Sequence, residues 1–378
     1  MAPRTLVAVV GTRPNLVKIA PTLRALERHA AADGGAALRP VLVHTGQHYD
    51  AALSANVFRD LRLPAPDHQL GVASGSHATT TAAVMCRLEP VLVAARPDVV
   101  LVVGDVDSTL AAALTAAKLQ VPVAHVEAGL RSFDRTMPEE LNRIVTDALS
   151  SPLFTSEAAA DDNLRREGFA PASIHFVGNV MIDSLLWALP MADASTVRAR
   201  LGLARDEPFA LLTVHRPGNV DAAEPLASIL GAAAELAREL PVILPAHPRT
   251  RARIAAFGLS GLTRRPGKAA RGRILLTEPL GYLDFLHLLA RARLLLTDSG
   301  GLQDESTALG VPCLTLRDNT ERPVTLSIGT SVLVGNDRRR ILAQARAVLA
   351  AAPPAARPRP PLWDGHTADR IVRVLASL

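Results

Sequence analysis

Short runs of Val, Leu and Ile alternate along this chain with longer alanine-rich stretches whose apolar residues recur at helical spacing. In the first half the runs at 7–10, 40–44, 99–103 and 122–126 predict strands, and the segments at 14–28, 79–95 and 110–118 predict helices. The second half repeats the pattern, with strands expected at 209–214, 241–245, 274–277, 294–297 and 313–316. Helices are expected between them at 224–239, 250–257, 282–292 and 302–309. Apolar runs with no polar alternation are those of parallel strands covered on both faces, so the fold class is α/β, with two doubly wound parallel sheets. The region at 178–183 and a polar helix after it read as the connection, dividing a domain over 1–180 from one over 181–365. A proline-rich tail at 351–361 is expected to be extended, and a last helix over 366–378 to cross back to the first domain.

Composition narrows the function. No segment reads as long and uninterrupted enough to cross a bilayer, and the chain enters its first strand directly, so a cytoplasmic protein without a membrane partner is expected. Two cysteines in apolar neighbourhoods, Cys86 and Cys313, read as buried thiols rather than a disulfide or zinc site. The formal charge of +5 is scattered rather than gathered in a block, which argues against a nucleic-acid partner. Of the 41 basic residues only Lys18, Lys118 and Lys268 are lysine. Lys18 lies beside the first glycine turn, where a compact ammonium suits a different task from the planar arginine fork.

In open parallel sheets the ligand crevice forms at the carboxyl ends of the strands, and the unusual polar residues of this chain cluster there. Leu294–Thr297 runs into Asp298-Ser299-Gly300-Gly301 and then a helix. Unpaired N–H groups and the positive end of the helix dipole would receive a phosphate there, with Ser299 adding a hydroxyl and Glu305, one turn on, meeting a ribose diol. An ordinary strand-to-helix turn has the same local sequence. Gly11-Thr12-Arg13-Pro14 ends the first strand, and Arg13 and Lys18 suit a diphosphate or sugar hydroxyl. Asp105, Glu127 and Glu139 would bring three carboxylates to one crevice, enough to remove and return a proton, although Glu139 and Glu140 also suit a helix start for dipole reasons alone. His215, followed by Arg216 at a strand end, can donate to a phosphate or leaving oxygen. Asp105-Val106-Asp107 lacks the further ligands of a metal site, so neither metal nor cofactor is expected.

Taken together, Gly11-Thr12-Arg13-Pro14, Lys18, Gly104-Asp105, His125-Val126-Glu127-Ala128-Gly129-Leu130-Arg131, Pro138-Glu139-Glu140-Leu141-Asn142-Arg143, Val177-Gly178-Asn179, His215-Arg216, Asp298 to Glu305, Arg317 to Pro323 and Trp363-Asp364-Gly365 resemble, in order and over nearly the whole chain, the non-hydrolysing UDP-N-acetylglucosamine 2-epimerase family. The resemblance implies a GT-B architecture of two Rossmann-like domains facing a central cleft, in a homodimer. It implies interconversion of UDP-N-acetylglucosamine and UDP-N-acetylmannosamine by elimination and re-addition of UDP through a 2-acetamidoglucal. Its catalytic residues fall on Asp105, Glu127, Glu139 and His215, and its substrate-binding residues on Arg13, Lys18, Arg143, Ser299, Gly300, Gly301, Glu305 and Arg322. A hydrolysing relative and a GT-B glycosyltransferase remain as alternatives. The chain departs from the common pattern at Asn15, Gly218 and Val324, where many members carry glutamate. Where substrate-activated members carry particular polar residues and an arginine, it reads Tyr49-Asp50 and Ser74.

Overall fold

The structure, a computed structural model, describes residues 4–32, 38–46, 51–73, 75–267, 272–351 and 359–378. Gln47, His48, Tyr49, Asp50, Ser74, Lys268 and most of the proline-rich tail, all singled out by the sequence, lie outside the described residues. The chain forms two units. One comprises residues 1–187 and 361–378, the other residues 188–360.

In the first unit the strands are β1 (Arg4–Val10), β2 (Leu38–His44), β3 (His68–Gln69), β4 (Val99–Val103), β5 (Val123–Val126), β6 (Leu153–Thr155) and β7 (Ile174–Phe176), ordered β3-β2-β1-β4-β5-β6-β7. Every pairing is parallel. Each residue of β4 is buried, and so are the last five of β1, because helices cover both faces. Val7, Val9, Val100 and Val102 point into one cluster with Val84, Leu88 and Leu92 of the helix His77–Ala95. This helix, at 19 residues, is long and apolar enough by composition to span a bilayer, which corrects the expectation that no segment would be. It carries Arg87 and Glu89 and inserts Thr80, Val84, Leu88 and Leu92 into the sheet-covering core. Its outer side exposes Cys86, so only Cys313 is a buried thiol: helical spacing puts residue 86 away from the 84/88/92 stripe.

The second unit contains β8 (Ala210–Thr213), β9 (Val242–Pro245), β10 (Thr263–Arg264), β11 (Ile274–Thr277), β12 (Leu294–Thr297), β13 (Cys313–Thr315) and β14 (Ser331–Leu333), ordered β10-β11-β9-β8-β12-β13-β14 and again wholly parallel. Strand alternation splits the core into two layers: Leu212, Leu294 and Leu296 face one cluster, Leu211, Leu295 and Cys313 the other. Strand order reverses between β1 and β4 in one sheet and between β8 and β12 in the other, and at such a switch point the adjoining loops splay apart and leave a crevice.

The helix Val180–Ala192 contains the step between the units and is apolar, not the polar helix expected after residue 183. The terminal helix Thr367–Ser377 packs in the first unit, where buried Asp183 accepts from the Thr367 and Ala368 amides at 3.2 and 2.7 Å. Arg4 donates to the Leu375 and Ala376 carbonyls at its other end. Burial raises the Asp183 carboxyl above its usual range, although those amides pull the other way. Removing this buried cap in Asp183→Ala is expected to lower stability by about 1–2 kcal/mol, read as an earlier midpoint in urea unfolding.

Candidate active site

At the first switch point, the chain between Val103 and Asp105 is held by its own carbonyls. Asn15 Nδ2 donates to the Val103 carbonyl at 2.8 Å and Thr109 Oγ1 to the same oxygen at 3.0 Å. His125 Nε2 reaches the Gly104 carbonyl at 2.8 Å, and Asn142 Nδ2 the Asp105 carbonyl at 2.9 Å. The Asn15 side-chain oxygen also accepts from the Thr12 amide at 2.9 Å. An asparagine here therefore joins the two switch-point loops by donating and accepting at once, which a glutamate carboxylate cannot do. Gly104 sits at φ +72°, and a Cβ on it would lie 2.7 Å from Lys18 Nζ. Glycine meets both demands.

The carboxylates are paired. Lys18 forms a buried ion pair with Glu127, and Arg143, also buried, pairs with Asp105. Glu127 adopts φ 72°, a conformation costly for a residue with a side chain and common at functional sites. Arg143 bonds Glu140 at 2.7 Å, and Glu140 in turn accepts from the Ser132 and Phe133 amides at 3.0 and 2.9 Å. Burial pushes the Glu140 carboxyl up, but these bonds and the Arg143 charge outweigh it and hold the group below its usual range. Asp147, on the same helix Pro138–Ala148, receives His125 Nδ1 at 2.7 Å, Arg131 at 2.7 Å and the Gly129 amide at 3.0 Å. Burial raises this group too, and the bond and charge of His125, joined by Arg131, bring it below the usual carboxylate range. Glu139 stays half-buried in the first turn of the helix and enters none of these bonds, while Arg13 opens the helix Arg13–Ala32 at the end of β1.

A different carboxylate organises the second switch point. Asp298, fully buried after β12, accepts from the His215 and Arg216 amides at 3.0 and 2.9 Å, from Asn219 at 3.1 Å, and from His215 Nδ1 at 2.9 Å. Burial raises its pKa, and the His215 bond and charge lead the terms that bring it below the usual range. Nδ1 faces the carboxylate, which leaves Nε2 on the other side of the exposed His215 ring. Ser299 precedes the helix Gly300–Leu309 with its hydroxyl unused as a cap, and Gly301 follows in the first turn. No acidic side chain occupies that turn. Gly300 has a second reason to be glycine: a Cβ would meet Glu321 Oε1 at 2.5 Å and Arg322 Nε at 3.0 Å. Arg322 is buried against Asp304 at 2.6 Å, and Glu321 bonds Arg317 at 2.8 Å. Glu305 is buried one turn into the helix, 3.4 Å from the Tyr282 hydroxyl, and burial together with the Asp304 charge pushes its carboxyl up to about 8.

The structure thus places two ion pairs, Lys18–Glu127 and Arg143–Asp105, at neighbouring strand ends, leaves Glu139 outside both, and groups His215, Ser299, Gly300, Gly301, Glu305 and Arg322 around β8 and β12 in the other unit. The sequence alone assigned no role to His125, Asp147, Asp298 or Asn219, and to Glu140 only a place at a helix start. Asp147 had no local signal at all, whereas His125 and Asp298 stood within motifs whose spacing alone could have flagged them.

These features define a two-domain parallel α/β protein with paired carboxylates at one switch point and a carboxylate-bonded histidine beside a glycine-rich helix start at the other. A family model described as UDP-N-acetylglucosamine 2-epimerase matches residues 30–376. The chain is 41% identical over 371 residues to the UDP-N-acetylglucosamine 2-epimerase of Methanocaldococcus jannaschii, covering 97% of each. It is also 41% identical over 347 residues to the UDP-2,3-diacetamido-2,3-dideoxy-D-glucuronate 2-epimerase of Pseudomonas aeruginosa, covering 91% of this chain and 92% of that one. The crystal structure of the M. jannaschii UDP-GlcNAc 2-epimerase in complex with UDP-GlcNAc and UDP is similar at a TM-score of 0.88 and 40% identity, over 99% of this chain and all of that one. The chain belongs to the UDP-N-acetylglucosamine 2-epimerase family, and its fold is of the GT-B type.

Glu305 gives this site a pH signature. Its carboxyl titrates near 8 in the folded chain and near 4.5 unfolded, so between those values the folded state retains a proton that the unfolded state has released. Its contribution to stability is full below about pH 4.5 and is lost as pH rises through 8. Glu305→Gln, which mimics the protonated form, should melt at a higher temperature than the parent at pH 8.5 and show a flatter melting profile between pH 5 and 8.5 in calorimetry.

Proposed function

We propose that this protein is an isomerase that interconverts UDP-N-acetylglucosamine and UDP-N-acetylmannosamine without hydrolysis. A base among Asp105, Glu127 and Glu139 takes the proton from C2, the C–H pair becomes the C1=C2 double bond, and the C1–O bond breaks with its electrons leaving on UDP. UDP then re-adds to C1 of the 2-acetamidoglucal while a carboxyl returns a proton to the other face of C2. His215 Nε2 donates toward the departing phosphate oxygen, and the amides at Gly300 and Gly301 with the Ser299 hydroxyl hold the pyrophosphate. Glu305 meets the ribose diol. Arg13 faces the substrate directly, while Lys18, Arg143 and Arg322 supply charge through the buried pairs they form with Glu127, Asp105 and Asp304.

One observation supports the reading: buried ion pairs hold carboxylates at the ends of β4 and β5 in one unit, and a carboxylate-bonded histidine stands beside a helix start at β8 and β12 in the other. A specific observation favours a second sugar as well. The relative from P. aeruginosa, named for a diacetamido glucuronate, matches at the same identity as the M. jannaschii enzyme, so UDP-2,3-diacetamido-2,3-dideoxy-D-glucuronate is the alternative substrate for the same chemistry. Incubation with each UDP-sugar in deuterium oxide should give the C2 epimer carrying deuterium at C2. Asp105→Asn should lower that incorporation by about 10²-fold or more, and absence of deuterium with both sugars defeats the reading.

The same reading makes the protein a cytoplasmic homodimer. Its helix Pro138–Ala148 turns Leu141 and Val145 outward, 44% and 38% exposed, and Leu141 borders an apolar groove with Met85 and Leu110. Such a face suits a second copy of the chain. Sedimentation should show a dimer for the parent and a monomer for Leu141→Glu.

A further inference from the structure

We propose that His125 is a positioning residue that couples the Asp105 loop to the Glu127 loop, so that the two carboxylates keep one mutual geometry; the catalytic meaning of this rests on the epimerase reading above. β4 and β5 are parallel neighbours, with Val102 opposite His125 and Val103 opposite Val126, so the two loops leave the sheet side by side. The Gly104 amide already donates to the Val126 carbonyl at 3.0 Å. From β5 the His125 ring spans sideways: Nε2 meets the carbonyl of Gly104, one residue before Asp105, and Nδ1 meets Asp147. Asp147 in turn holds the Gly129 amide and Arg131 on the far side of Glu127. The ring therefore lies within a closed circuit running from Gly104 through His125 and Asp147 to Gly129, with Glu127 inside it.

Three facts make this circuit more than packing. His125 and Asp147 are both wholly buried, so no solvent replaces a lost bond. Gly104 lacks a Cβ and sits at positive φ, so the peptide before Asp105 has no steric restraint of its own and takes its orientation from the groups on its carbonyl. Consecutive carbonyls at 103, 104 and 105 are each engaged by a buried side chain, and of those side chains only His125 also connects to the hub that holds the loop after Glu127. A planar ring with nitrogens on both sides spans this gap, and no shorter amide can reach both partners.

The two amide replacements separate the two bonds. In His125→Gln the side-chain amide reaches the Nε2 position and keeps the donor on Gly104; in His125→Asn it reaches only the Nδ1 position and keeps Asp147. Each variant opens the circuit at one end, so epimerisation by His125→Asn and by His125→Gln should each fall by about 10- to 100-fold in kcat, with KM and UDP affinity within about twofold. Asp147→Asn, which preserves volume, should lose about tenfold in kcat in the same KM-neutral way. Without substrate, amide hydrogen exchange at residues 104–106 should speed up in His125→Asn and much less in His125→Gln, with residues 300–305 unchanged. Parent-level kcat in either histidine variant, losses that track melting temperature, or unaltered exchange at 104–106 in His125→Asn would overturn the proposal. A parent protein that exchanges no deuterium with either UDP-sugar sinks the epimerase reading instead, and the hydrogen-exchange comparison then still decides whether His125 couples the loops.

Discussion

The first unit depends on a helix built inside out. Along Pro138–Ala148 the charged residues Glu140, Arg143 and Asp147, spaced at three and four, face inward, while apolar Leu141 and Val145 face outward. Burying three charges in one stripe is tolerable only if each is paired and its remaining bonds are met. Here they are: Arg143 bridges Glu140 and Asp105, Glu140 collects the Ser132 and Phe133 amides, and Asp147 collects His125, Arg131 and Gly129. The cost of desolvation is thereby converted into a demand on geometry, because moving any of these loops would strand a charge in a dry interior.

The second unit meets the same need with one carboxylate. Asp298 leaves β12 directly and gathers the His215 and Arg216 amides, the His215 ring and Asn219, while Asn219 reaches on to the Leu316 carbonyl. Three adjacent strand ends are tied through two side chains. In both units the loops so tied leave neighbouring parallel strands, β4 and β5 in one and β8 and β12 in the other; a helix holds the first pair and a strand terminus the second.

Central strands were legible because β1, β4, β8 and β12 are continuous apolar runs that admit no reading except burial on both faces. Edge strands such as His68–Gln69, Ile174–Phe176 and Thr263–Arg264 were not, being too short and too exposed to carry a period. The polar character expected of the connecting helix was wrong because the residues that set its environment, 180–192, are mostly apolar and the polar ones lie beyond them. At the site, strand-end glycines beside polar residues pointed to function before any coordinates. Their partnerships did not, since His125 and Asp147 are 22 positions apart and only the fold brings the ring against the carboxylate. Gly300 shows the same limit: sequence gave it a phosphate to accommodate, and the structure adds Glu321 and Arg322 pressed against its missing side chain.

Burial sets most supporting groups apart from those the proposed reading brings to the substrate. Glu140, Arg143, Asp147, His125, Asp298 and Asn219 are nearly or wholly inaccessible, whereas Arg13, Asp105, Glu139 and Ser299 are half-buried and His215 is exposed; Glu127 and Glu305 are the exceptions, buried although the same reading sets both at the substrate. A group with an open side is accurately aimed only if its support is closed and fully bonded. The chain is 41% identical to relatives named for two different sugars. On the proposed reading, a bonded interior that aims proton transfer at C2 leaves differences elsewhere on the sugar to the accessible residues around it.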